Sequence, residues 1–389
     1  MNTTVSPDTV FAYADERIAQ AAAALWPDGP VVVGPHIPSV TGYVRRVEAA
    51  GRPLFAKVSL LGVSLASVLR GTHGDWAEVR AKQAAYLSSP GALLEREAAQ
   101  YGALAGAGLG TATVAGLAGG VLFTEPVSGV TLGEVLAKDP HRTFDLLAGV
   151  TEELGALQKH AVAALVEGAA IRERSVHGTF ARKFNGISGE TYVSLTGPSA
   201  PVLGAVVPRL RKMRLSGTYG TYGTYGSRIV YGDLKPEHVV FPDGPERRPA
   251  FIDPGLALGH PASDVAKLVS RMVLGLIVQP PAGPGATAVL RGIGEFTDLA
   301  TYRLTPAERA AWLRQLVVLW LMDTVNIFTT YLTAPTGLPL PESARTLIAQ
   351  APAVCTLLDR VSALLAAVSM DGRTVWRLAL DHAATAAGR

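Results

Sequence analysis

Ile229-Val230-Tyr231-Gly232-Asp233-Leu234-Lys235-Pro236-Glu237-His238-Val239-Val240-Phe241, followed closely by Pro249-Ala250-Phe251-Ile252-Asp253-Pro254-Gly255, is the stretch on which the fold turns. Ile229-Val230 and Val239-Val240-Phe241 are apolar runs around a segment punctuated by Gly232 and Pro236, which reads as strand, turn, strand. Asp233 is therefore expected at a strand end, facing a cleft. Pro242-Asp243-Gly244-Pro245 is a hairpin-type turn signal, and the strand after it delivers Asp253 beside the first. Two carboxylates on neighbouring strand ends can divide labour: one orients an attacking hydroxyl, the other holds a divalent cation on a transferred phosphate.

Working outward, Arg52-Pro53-Leu54-Phe55-Ala56-Lys57-Val58 is a short strand carrying one lysine. Before it, Val31 to Gly34, Ser39 to Gly42 and Tyr43 to Val47 read as strand, loop and strand, poor in glycine. Leu93 to Tyr101 is helical, with Leu94, Ala98 and Tyr101 on one face. Gly120 to Gly129 reads as a strand running into a turn, Thr131 caps a helix over Thr131 to Leu136, and Leu154, Leu157 and Ala161 recur at helical spacing in a helix from Val150 to His160. Gly259 to Leu268 places Pro261 and Asp264 in one segment.

In this order the pieces resemble the aminoglycoside phosphotransferase and choline kinase branch of the protein-kinase-like fold. That branch usually reads His-Gly-Asp-x-x-x-x-Asn in its catalytic loop, followed by an Ile-Asp or Phe-Asp strand end. Here Tyr231 stands where the family has His, and His238 where it has a metal-binding Asn. The resemblance covers about Val31 to Leu268, and its specificity comes from the order of the elements. It implies an α+β, bilobal chain: a mostly antiparallel sheet in a nucleotide-binding lobe over residues 1–127, with an extra helical insertion at about 59–91, and a helical lobe over residues 128–389.

The resemblance also implies roles. Asp233 would be the catalytic base or orienting group, and Asp253 would hold Mg2+. His238 either contacts metal or phosphate or supports a ligand from behind, since imidazole is a softer ligand than an amide oxygen and must be neutral to bind. Lys57 would reach the ATP phosphates, braced by Glu97, with Glu95 as the rival. Gly42 lies in the phosphate-covering hairpin; Glu125 and Val127 mark the hinge that binds adenine through backbone groups. Asp264 would brace the catalytic loop.

The composition suits such an enzyme. At 389 residues the chain is long enough for two lobes, and a net charge of +3 leaves no footprint for nucleic acid or an anionic membrane. Cys355, the single cysteine, has no partner for an internal disulfide and reads as a small buried hydrophobe. No basic and apolar leader is evident at the N-terminus, and the apolar stretch Leu316 to Leu332, interrupted by Asp323 and Asn326, reads as a buried helix rather than a span. A cytoplasmic location is expected.

Three features bear on the acceptor. The insertion contains Leu60 to Leu69, an apolar helical run, and a capped helix start at Asp75; it is either lobe-stabilising or a substrate or partner surface. Gly217 to Gly226 is a Gly-Thr-Tyr repeat, either a tether or a set of stacking rings. Arg172, Arg174, Arg182, Lys183, Arg209, Arg211, Lys212 and Arg214 make the middle of the chain basic, which reads either as a solvated face or as a surface unsuited to polycationic aminoglycosides. The expected function is ATP-dependent phosphorylation of a hydroxyl on a small metabolite or antibiotic, or on a Ser or Thr of a natural-product precursor peptide, with a biosynthetic partner protein conceivable. The alternative is a degenerate kinase that binds nucleotide or a partner without turnover.

Overall fold

The computed structural model describes residues 5–213, 228–367 and 370–388. The Gly-Thr-Tyr repeat and Arg214 lie outside them. The chain begins with helix α1 (Pro7–Leu25), started by a Ser6 cap and Pro7 in its first turn. Its Ala14, Ile18 and Ala22 pack on a five-stranded antiparallel sheet of order β1-β2-β3-β6-β5, made of β1 (Val31–Ile37), β2 (Tyr43–Ala49), β3 (Arg52–Val58), β5 (Val114–Ala118) and β6 (Val121–Thr124). Alternation along β3 sets the direction of its lysine. Leu54, Ala56 and Val58 are buried under α1, so Phe55 and Lys57 point to the opposite face.

Between β3 and β5 lie α2 (Leu65–Leu69), α3 (Trp76–Ser88), α4 (Leu93–Gly106) and the short β4 (Gly110–Thr111). The run from Leu60 to Leu69 is helical only in its second half. Leu61 and Gly62 adopt left-handed φ of 55° and 67°, the Leu61 N–H is taken by Gln83 Oε1 at 2.6 Å, and the Ser64 side chain caps α2. Asp75 caps α3 by accepting from Glu78 N. On α4, Leu94, Glu97, Gln100, Tyr101 and Leu104 share the buried face, at three- and four-residue spacing.

After β6 the chain passes through β7 (Val130–Thr131) into α5 (Leu132–Lys138), started by a capping box between Thr131 and Glu134. The expected single helix from Val150 to His160 is broken: α6 (Thr143–Leu154) gives way to a 3-10 turn at Gly155–Gln158, Lys159 is extended, and α7 (His160–Ala169) begins. The break lets Gln158 Nε2 donate to Ile229 O at 2.8 Å, holding the strand that enters the Asp233 loop. Then come α8 (Val176–Lys183), α9 (Gly186–Ser194) and α10 (Ala200–Lys212).

Short strands frame the loops of interest: β8 (Arg228–Val230), β9 (Val239–Phe241), β10 (Ala250–Phe251) and β11 (Ala257–Gly259). They form a four-stranded sheet of order β4-β10-β9-β7 and a two-stranded β11-β8 pair. Six helices complete the chain: α11 (Ser263–Val278), α12 (Gly285–Ala300), α13 (Pro306–Leu332), α14 (Glu342–Ala349), α15 (Ala351–Ala366) and α16 (Gly372–Ala386). Among the described residues α13 is the one unbroken helix long and apolar enough to cross a membrane, but 83% of its apolar window is buried against other helices. Cys355 is buried in α15.

Candidate active site

The Asp233 loop and the Asp253 loop are locked together by backbone bonds. Strands β9 and β10 pair antiparallel, with Val239 opposite Phe251, and Ile252 N–H donates to His238 O at 3.0 Å. Gly255 N–H donates to Tyr231 O, also at 3.0 Å. Gly232 has φ of 78°, and a Cβ placed there would meet Gly255 O at 2.1 Å, so only glycine lets the two turns approach this closely. Gly232→Ala is expected to cost about 1–3 kcal/mol of stability from backbone strain alone and to displace Asp233. A denaturant midpoint and a nucleotide affinity both matching wild type would refute that reading of the turn.

Asp264, in the first turn of α11, accepts the N–H groups of Tyr231 at 2.7 Å and Gly232 at 2.8 Å. Burial raises its carboxyl pKa to about 6 against the pull of those two donors. Tyr231 is fully buried and donates its hydroxyl to Ile252 O at 2.6 Å, tying the residue before Gly232 to the residue before Asp253.

The charged groups converge in two knots. In the first, Lys57 Nζ lies 2.5 Å from Glu97 Oε1 and 2.6 Å from Asp253 Oδ1, while Glu97 Oε2 pairs with Arg174, which also donates to Pro254 O at 2.5 Å. Glu97 is 0% exposed, and Glu95 instead accepts from Gly91 N at 3.1 Å, which settles the choice between the two glutamates. In the second knot both oxygens of Asp233 face ammonium groups: Oδ1 is 2.5 Å from Lys267 and Oδ2 is 3.0 Å from Lys235. Burial pushes the Asp233 carboxyl up, but Lys235 and Lys267, then His238 and Arg174, hold it well below the usual carboxylate range. Asp253 is held low in the same way: burial opposes ionisation, and Lys57, His238 and Arg174 outweigh it. Asp253 itself has a left-handed φ of 55°, and its N–H donates to the Tyr101 hydroxyl at 3.0 Å.

His238 bridges the knots. Its Nδ1 lies 2.9 Å from Asp233 O, a carbonyl that can only accept, so Nδ1 carries the proton and Nε2 the lone pair. Nε2 faces Asp253 Oδ2 at 3.7 Å. Burial, reinforced by Lys235, lowers the imidazole pKa, so the ring is neutral at physiological pH. No group of three metal-ligating side chains occurs among the described residues. The Asp253 carboxylate with a neutral imidazole suits a cation such as Mg2+, which takes one or two protein ligands and fills its octahedron with water and phosphate oxygens. The residues present fit the metal: Asp253 would be the hard ligand, and His238 would either contact the ion or support it from outside the ligand set.

Of the sequence-predicted residues, Lys57, Glu97, Asp233, His238 and Asp253 are thus brought together, while Gly42, Glu125 and Val127 stay outside the ionic network. Gly42 lies beside Val58; a Cβ there would meet only Val58 O, at 3.9 Å, so space does not require glycine. Glu125 pairs with Arg52 and gives its N–H to Thr113 O at 2.9 Å. Val127 packs with Ile252 around the buried Leu94, Tyr101, Ala112 and Leu122, beside the Asp253 loop.

Sequence reasoning assigns no functional role to Arg174, Lys235, Lys267 or Tyr101. Arg174 reads there only as one of the basic residues that make either a solvated face or a surface unsuited to polycationic aminoglycosides, yet it is sequestered against Glu97. A signal is present: Arg96-Glu97 and Glu173-Arg174 are dipeptides of inverted charge, and the structure pairs them crosswise, with Arg96 Nη2 2.5 Å from Glu173 Oε1.

No family model and no curated protein matches the sequence. Solved structures do. Amicoumacin kinase hAmiN, in complex with AMP-PNP, Ca2+ and Ami, superposes with a TM-score of 0.54 at 15% identity, over 91% of this chain and 96% of that one. The chain has the kinase-like fold of that structure. Further matches to this kinase-like fold include a candidate aminoglycoside phosphotransferase of Ralstonia eutropha (TM-score 0.49, 14% identity, 95% and 98% of the two chains) and a choline kinase of Streptococcus pneumoniae (0.40, 13%, 88% and 99%). In the kinase-like frame the α+β architecture expected from the sequence is present, with the antiparallel sheet N-terminal and the helices C-terminal.

Proposed function

We propose that the protein is an ATP-dependent O-phosphotransferase, with residues 1–127 as the nucleotide lobe and residues 128–389 as the helical lobe. The observation that carries this reading is the convergence of Lys57, Asp233 and Asp253, from three separate segments, in two adjoining ion-pair knots bridged by His238. Lys57, held by Glu97, whose other oxygen pairs with Arg174, would position the nucleotide phosphates, and the hinge around Glu125 and Val127 would receive the adenine. Asp253, with His238, would hold Mg2+, which supplies charge neutralisation on the phosphates when bound. Asp233 would orient the acceptor hydroxyl. Its depressed pKa suits a group that aligns and accepts a proton late, because phosphoryl transfer depends mainly on positioning and charge stabilisation.

The acceptor in this reading is a small hydroxylated molecule or a Ser or Thr of a precursor peptide in secondary metabolism, in the cytoplasm where ATP is abundant. A polycationic acceptor is disfavoured: both oxygens of Asp233 already face ammonium groups, those of Lys235 and Lys267, so the carboxylate at the transfer point offers no excess negative charge. ATP consumption with Mg2+ should therefore rise with neutral or anionic hydroxylated compounds, or with Ser/Thr peptides, and stay at background with kanamycin-type compounds. Turnover confined to the kanamycin type would overturn the acceptor class. Nucleotide binding without hydrolysis or transfer under any condition would point to the degenerate alternative.

A further inference from the structure

Arg70 and Lys183 are two cations that form no ion pair with any carboxylate among the described residues. Arg70 follows α2, in the insertion, and reaches α13: its Nη1 donates to Thr333 O and Oγ1, both at 3.2 Å, and its Nη2 to Ser67 Oγ at 3.2 Å. Lys183, the last residue of α8, donates to Asn326 O at 2.6 Å and to the Thr330 hydroxyl. The ring of Tyr192 lies between them, with the guanidinium 5.1 Å and the ammonium 5.7 Å from its centroid. Every partner is neutral. Among the described residues no carboxylate comes within ion-pair distance of either cation; the Tyr192 hydroxyl is the group that most offsets the burial of each, and, against its own burial, the two cations in turn lower its pKa.

Two cations crowded on one ring repel each other, and burial penalises both. That is an unfavourable arrangement unless an anion completes it. A further observation marks a place for an acceptor group: Arg70 Nε is buried without a hydrogen-bond partner. Arg70, Lys183 and Tyr192 are each partly exposed, so the cluster is open to an incoming group. It also connects to Asp233. Lys183 bonds to Asn326 O on α13, Asp323 of α13 pairs with Arg271 of α11 at 2.9 Å, and α11 also carries Lys267, which pairs with Asp233.

We propose that Arg70 and Lys183, on the Tyr192 ring, form a subsite for an anionic group, a carboxylate or phosphate, of the acceptor whose hydroxyl lies at Asp233. This rests on the phosphotransferase reading. The insertion thereby acquires a function, since α2 delivers one arm of the acceptor site to the helical part of the chain.

The test uses the full chain with inorganic phosphate and acetate as probes, at ionic strength matched with chloride. On the wild-type protein, acetylation of Lys183 by acetic anhydride, followed by peptide mass spectrometry, should slow about tenfold at a probe concentration ten times its dissociation constant. The probe should also raise the melting temperature saturably; Arg70→Met and Lys183→Met should abolish that rise, whereas Lys57→Met, which alters the nucleotide-phosphate site, should keep it. Phosphate active with acetate silent would identify the acceptor's anion as a phosphate, and the reverse as a carboxylate. Absence of protection by both probes, or a saturable rise retained in both variants, overturns the subsite. Calorimetry with AMP-PNP and Mg2+ separates the two readings: nucleotide binding with no anion effect sinks the subsite alone, and an anion effect without nucleotide binding removes its role in an acceptor site.

Discussion

Asp233→Asn is expected to lower acceptor turnover about 10²–10⁴-fold, the range for loss of a positioned base, with AMP-PNP affinity nearly unchanged. The substitution is nearly isosteric but replaces an anion that faces Lys235 and Lys267 with a neutral amide. Two ammonium groups are then left beside an amide that can also donate, so some stability is lost as well. Melting and single-turnover measurements separate the effects: a folded, nucleotide-binding, inactive protein is the expected outcome. Retention of more than a tenth of wild-type turnover on a confirmed acceptor would remove Asp233 from its assigned place.

Asp253→Ala is expected to abolish the dependence of ATP affinity on Mg2+, whereas His238→Ala should weaken it only about tenfold, in the range typical of groups that support a metal from outside its ligand set. The asymmetry follows from chemistry at the site. Asp253 offers an anionic oxygen held ionised by Lys57, while His238 offers one nitrogen lone pair, oriented by its Nδ1 bond to Asp233 O. Magnesium titrations at fixed ATP compare them directly. Equal losses would make His238 a full ligand, and Mn2+ substitution should then favour the wild type more than His238→Ala.

The parts of the site that are legible in the sequence are those written locally. Gly232, Asp233 and Asp253 sit in turns between apolar strands, and Lys57 falls on the face opposite Leu54, Ala56 and Val58 by simple alternation. Glu97 shares a helix face with Leu94 and Tyr101, whereas Glu95 does not. Arg174 is hard to read because an ion pair has no period: its partner lies 77 positions away, and only the inverted Arg96-Glu97 and Glu173-Arg174 dipeptides set it apart from Arg182, which is exposed. Lys267 is hidden within the apolar helix α11, where its neighbours Ala266, Leu268 and Val269 are core. The two unexpected helix breaks share a cause. Composition across Leu60 to Leu69 and Val150 to His160 is helical, but Gln83 and Ile229, distant in sequence, hold Leu61 and Gln158 by hydrogen bonds and fix the breaks.

The double attachment of Lys57 has a thermodynamic consequence. Its ammonium bonds to both Glu97 and Asp253, and a cation taken up by Asp253 competes for the same carboxylate. Occupancy by a metal at Asp253 would therefore release one of the two bonds that hold the ammonium and free it for nucleotide phosphates. Metal and nucleotide would then bind with positive cooperativity, and by linkage each would raise the affinity of the other by the same factor. Breaking the Lys57–Asp253 bond by Lys57→Met would uncouple them: metal would bind Asp253 more readily without nucleotide, and nucleotide would gain less from metal.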